Sequence, residues 1–138
     1  MQWIPERRIL AGVLLAACVL LAGCTASQSW SLGASGNVES IDDAYRFTGE
    51  VSLGGKIGEV TAEGVRIVFL DANESTLKTV KIGTLGEESR VANLSVVLDQ
   101  PPKYVLVKVE RVDAPENSEY GITGLEHRDD GRYYPYSE

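Results

Sequence analysis

His127 is the only histidine in the chain, so any Ser-His-Asp relay working near neutral pH would have to be built on it. Asp129 lies two residues further on and could orient the ring, but no Gly-x-Ser-x-Gly elbow is present to expose a nucleophilic serine. A surface histidine beside a turn accounts for the same residues. Asp71-Ala72-Asn73-Glu74-Ser75 opens like a calcium loop, yet Thr76 stands where the sharp-turn glycine belongs and Ile82 where the bidentate glutamate belongs. A turn between two strands explains the segment better. The pairs Asp42-Asp43 and Asp129-Asp130 would share a cation only if the fold joined them, whereas solvated acidic turns require no such meeting. Gly54-Gly55-Lys56-Ile57-Gly58 is glycine-rich but lacks the Gly-Lys-Ser/Thr ending that cradles phosphate. The expectation is no catalytic residue, no metal and no cofactor. A small hydrolase or metal-dependent enzyme using His127 and the acidic turns stands as the alternative.

Contact chemistry is the stronger theme. Tyr120, Tyr133, Tyr134 and Tyr136 crowd the C-terminal part, and tyrosine supplies large amphipathic area at low entropic cost. They are candidate contacts to a protein or glycan ligand, with ordinary strand packing as the competing explanation. Asn73-Glu74-Ser75 and Asn93-Leu94-Ser95 fit the glycosylation acceptor pattern. Asn73 is expected in a turn, and Asn93 on the outward face of a strand.

The first 24 residues have a different character. Arg7-Arg8 precede Ile9 to Ala22, fourteen residues without a charge, and then come Gly23 and Cys24. A basic start, an apolar run and a small-residue processing site are the three parts of a secretory signal. The run is short for a bilayer span, which takes about 20 apolar residues, although extension through Ala26 would leave a retained membrane helix as the alternative. Leu21-Ala22-Gly23-Cys24 resembles the lipobox of bacterial and archaeal lipoproteins. That resemblance implies cleavage before Cys24, a diacylglyceryl group on its thiol, and a location on the outer side of the cell membrane. Two acyl chains anchor where a single chain holds only marginally. Arg7-Arg8-Ile9-Leu10 also resembles the twin-arginine export signal, which leaves that route and general secretion both open. The other cysteine, Cys18, lies in the segment to be removed. The processed chain would then have neither an internal disulfide nor a free thiolate.

The formal net charge is −7, and loss of Glu6, Arg7 and Arg8 makes it one unit more negative. Such a surface repels phosphate backbones, so a nucleic-acid partner is excluded. The acidic excess resembles that of proteins from salt-loving archaea, where screening shortens the reach of self-repulsion.

These side chains must be positioned by strands. Tyr45, Phe47, Val51 and Leu53 alternate with Arg46, Thr48, Glu50 and Ser52, the period of a half-buried strand. Similar runs follow at Val65 to Leu70, Val80 to Ile82, Ala92 to Leu98, Val105 to Val109, Ile122 to Arg128 and Arg132 to Tyr136. Pro101-Pro102 predicts one turn and Asp129-Asp130-Gly131 a hairpin. Thr25 to Ser40, rich in Ser, Gly and Ala, has the composition of a flexible tether. Trp30 within it would sit either at the membrane interface or against the domain.

The sequence thus predicts an all-β fold: a small antiparallel β-sandwich of six or seven strands. The division is 1–23 signal peptide, 24–42 lipidated N-terminus and tether, and 43–138 sandwich domain. Gly64-Val65-Arg66-Ile67-Val68-Phe69-Leu70-Asp71 and Pro102-Lys103-Tyr104-Val105-Leu106-Val107 loosely resemble segments of transthyretin-like and peptidase-regulatory-like sandwiches. Leu85-Gly86-Glu87-Glu88-Ser89-Arg90 departs from their usual turn, leaving an immunoglobulin-like sandwich equally open. Either resemblance implies adhesion, spacing or ligand contact: a non-catalytic module.

Overall fold

The computed structural model describes residues 29–55 and 59–137. The signal segment, Cys24 and its lipobox, and the Arg7-Arg8 pair lie outside the described residues. Nine strands and no helix make up the described chain. They are β1 (Ser29–Ile41), β2 (Ala44–Gly55), β3 (Thr61–Leu70), β4 (Thr76–Leu85), β5 (Val91–Leu98), β6 (Tyr104–Lys108), β7 (Arg111–Asp113), β8 (Glu119–His127) and β9 (Tyr133–Ser137). The all-β expectation holds, and each run of alternating residues is found as a strand.

Two features differ from the sequence reading. Ser29 to Ile41 is a strand and not a tether, so the folded unit begins at or before Ser29 rather than at residue 43. The alternation is present in Trp30, Leu32, Ala34, Gly36 and Val38, but small residues at the later inward positions disguise it. Asp42-Asp43, expected as a solvated acidic turn, forms the two-residue turn that pairs Ile41 with Ala44. Asp42 accordingly adopts a positive φ of 48°.

The second difference follows from the first. The sheet runs β4-β3-β6-β8-β1-β2-β5, with β7 on β3 and β9 on β8. Without β1, the pair β2-β5 and the group β4-β3-β6-β8 would be separate layers, which is the expected sandwich. With β1, antiparallel to β2 and parallel to β8, they join into one mixed nine-stranded sheet. That sheet curls toward a barrel. At its two ends the Nζ of Lys78 on β4 donates to the Val97 carbonyl on β5 at 3.4 Å.

The inward faces fill the interior. Leu32 of β1, Phe47 and Val51 of β2, Ile67 and Phe69 of β3, and Val105 and Val107 of β6 are all essentially inaccessible to solvent. The rings of Phe47 and Phe69 meet edge to face at 5.3 Å, bridging β2 and β3, which are not neighbours in the sheet. Where β1 and β2 cross, Gly36 faces Gly49. A Cβ on Gly49 would stand 2.1 Å from the Ser35 carbonyl oxygen and 2.9 Å from the Phe47 ring, so only glycine admits that approach. A register shift around Glu63-Gly64, where Gly64 takes a φ of 68°, bends β3. Its first residues thereby pair with β7 and its last with β6.

Candidate functional site

The hairpin signal at Asp129-Asp130-Gly131 is realised as a loop between β8 and β9. The Arg128 N–H donates to the Arg132 carbonyl at 3.0 Å, and the Gly131 N–H donates to the Arg128 carbonyl at 2.9 Å. Gly131 takes the positive φ of 85° that the loop demands. Asp130 is a turn residue here: its Oδ1 accepts from the Arg132 N–H at 2.9 Å, and its Oδ2 accepts from the Tyr134 hydroxyl. The Tyr134 hydrogen bond, with that from Arg132, holds the Asp130 carboxyl below its ordinary pKa, and the same contact raises that of Tyr134. The Arg128 guanidinium lies 4.6 Å from the Tyr134 ring centroid.

The hairpin fixes the other β9 tyrosines. Tyr133 donates its hydroxyl to the carbonyl of buried Pro102 at 2.5 Å, tying β9 to the Pro101-Pro102 turn. Burial pushes its phenol well above the ordinary range. Tyr136 leans on Tyr104 of β6 at 5.2 Å. His127 packs against Tyr133 at 4.9 Å, opposite it in the β8–β9 register. Its backbone carbonyl accepts from the Lys103 Nζ at 2.7 Å. The ring is placed by its packing on Tyr133.

The fourth tyrosine lies elsewhere. Tyr120 sits near the start of β8, away from the β9 pairing segment, which begins at Thr123. Its ring stacks on Trp30 at 4.8 Å with planes 9° apart, because parallel pairing of β1 with β8 sets the two residues side by side. Trp30 is thereby covered at 5% exposure, while Tyr120 stays 66% exposed. The tryptophan therefore docks onto the domain.

Asp71 to Ser75 form the expected turn. The Asp71 Oδ1 accepts from the N–H groups of Asn73 and Ser75, both at 2.9 Å, and Glu74 has a φ of 63°. Asn73 is exposed at the tip of that turn, and Asn93 is exposed on β5 opposite Glu50. Among the described residues no three His, Cys, Asp or Glu side chains gather as metal ligands.

One feature escaped the sequence reading. β6 and β8 pair through Tyr104 with Glu126 and Val105 with Leu125, and then diverge. Beyond that point a cleft opens with two adjoining lobes. One, of about 320 Å³, is lined by Trp30, Val109, Val112, Ala114, Tyr120 and Ile122 together with Ser118. The other, of about 450 Å³, shares Val109, Tyr120 and Ile122 and is lined besides by Val107, Lys108 and Gly121. The indole Nε1–H of Trp30 is buried with no acceptor among the described residues. No spacing in the sequence announces this cleft, because it depends on a parallel pairing between strands about ninety residues apart.

No family of known proteins matches the chain, and no curated protein does. Among solved structures the chain is similar to one described as the X-ray structure of Northeast Structural Genomics Consortium target SoR45. The two share 12% identity over 79% of this chain and 81% of that one, with a TM-score of 0.41.

Proposed function

We propose that the protein is a lipid-anchored, non-catalytic binding module on the outer face of the cell membrane. The observation that carries this reading is Leu21-Ala22-Gly23-Cys24 at the end of an uncharged run behind Arg7-Arg8. Diacylglyceryl-modified Cys24 would precede Ser29 by five residues, a reach of at most about 18 Å. The strand would then rise almost directly from the headgroups, with the Trp30–Tyr120 stack close to them.

The non-catalytic half of the reading is supported by how the titratable groups are used. His127 packs on Tyr133, Asp130 closes a turn and Asp71 orders another. Each has a structural task.

Fractionation of cells expressing wild type and Cys24→Ser tests the anchor. Wild type is expected in the membrane fraction and to be digested when protease is added to intact spheroplasts. An equal distribution of the two proteins, or protection of wild type from the protease, would overturn it.

A further inference from the structure

We infer that the lobe of the cleft beside Trp30 binds a small, neutral, apolar molecule carrying one hydrogen-bond acceptor: a ketone or an ester on a compact hydrocarbon body. The inference deepens the binding half of the proposed function and rests on it, but not on the lipid anchor.

The walls of the lobe select the hydrocarbon part. β6 and β8 pair only through Tyr104 with Glu126 and Val105 with Leu125, and the sheet opens beyond them. Val109, Val112, Ala114 and Ile122 line that opening together with Trp30, and its volume of about 320 Å³ suits a small ligand. Tyr120, stacked on Trp30 and 66% exposed, is the side chain at its mouth. An apolar ring or short chain loses contact with water against such walls and is stabilised there.

The same walls reject charge. Although the protein has a net charge of −7, no described residue lining the lobe is ionisable in the neutral range. Arg111 and Asp113, on either side of Val112 in β7, are exposed and pair with each other at 3.2 Å. An ion entering the lobe would give up its hydration without meeting a counter-charge.

One polar group remains to be satisfied, and it is a donor. The Ser118 hydroxyl is already spent, donating to the Pro115 carbonyl at 2.8 Å. Trp30 is 5% exposed, and its Nε1–H is the buried side-chain polar group that lacks a partner among the described residues. A buried donor left unpaired is costly. A ligand oxygen relieves that cost where a pure hydrocarbon does not, and no second donor on the ligand is called for.

Trp3 and Trp30 are the only tryptophans, so a full-length Trp3→Phe chain with isotope-labelled indole nitrogen, reconstituted in zwitterionic discoidal bilayers, shows Trp30 as its single indole N–H resonance. The probes are acetophenone, ethylbenzene, which has nearly the same outline without the oxygen, and benzoate, which has it with a charge. Acetophenone is expected to move the resonance saturably, and the other two to bind about tenfold more weakly. Ala114→Phe fills the lobe and should keep the resonance but lose its response to acetophenone. Trp30→Phe removes the donor and keeps a ring beside Tyr120; in ligand-induced thermal shift, acetophenone should then stabilise it no more than ethylbenzene does. The inference fails if no probe gives a saturable response, if ethylbenzene or benzoate binds as well as acetophenone, or if either variant responds to acetophenone as the parent does. Cell fractionation of Cys24→Ser reports the anchor independently, so a failed cleft and a failed anchor give different results.

Discussion

At the scale of single residues, the tyrosines are legible as a cluster in the sequence but not as individuals. The β8–β9 hairpin distributes them. Tyr133 is half-buried and bonded to Pro102, Tyr134 is tied to Asp130, Tyr136 rests on Tyr104, and Tyr120 covers Trp30. Only pairing and register decide such fates, and neither is written in spacing. Tyr133→Phe removes the hydroxyl and leaves the buried Pro102 carbonyl without its donor, a loss of about 1 kcal/mol measurable by urea unfolding. The variant should also respond differently to alkali. The phenol pKa of Tyr133 is raised in the folded state, so its contribution is complete below the ordinary tyrosine value of 10.0 and fades as pH rises beyond it. Wild type is therefore expected to lose stability above that pH more steeply than Tyr133→Phe, and parallel profiles would contradict the assignment. Asp130 has the opposite sign: its depressed pKa stabilises above the ordinary carboxylate value, and that contribution is lost as pH falls through the depressed one.

At the scale of elements, strands with bulky inward residues are legible from β2 through β9, apart from the three-residue β7. Hairpin chemistry at Asp129-Asp130-Gly131 and the turn at Pro101-Pro102 also read correctly. β1 does not, because Gly33, Ala34, Ser35 and Gly36 mimic a linker. The reason for those small residues is structural: Gly36 and Gly49 let β1 and β2 approach beneath the Phe47 ring. Two substitutions separate strand from tether. Leu32→Ala deletes a side chain with 0% exposure and should cost about 2–5 kcal/mol in chemical denaturation, whereas the same change in a tether would cost nothing. Gly49→Ala forces a Cβ into the Ser35 carbonyl and is expected to destabilise by about 3 kcal/mol or more, or to prevent folding.

At the scale of the whole molecule, β1 determines the architecture. It stitches two would-be layers into one curled sheet, and its parallel pairing with β8 creates both the Trp30–Tyr120 stack and the cleft beside it. An antiparallel sandwich was a sound expectation from strands alone, since a parallel contact between distant segments leaves no local mark. The acidic surface belongs to this scale too. If self-repulsion is a net cost, the midpoint of thermal unfolding should rise as salt is raised from dilute buffer, through screening over about 10 Å at 0.1 M and less above it. A domain most stable in dilute buffer would count against that view. The central claim, that this sheet hangs from a lipid on Cys24, is tested most directly by intact mass. Wild type and Cys24→Ser would be expressed in a lipoprotein-processing host and weighed. Wild type is expected to lack residues 1–23 and to carry the added mass of a diacylglyceryl group, while the variant carries none. A full-length mass for both would contradict the account and leave Ile9 to Ala26 as a retained membrane segment.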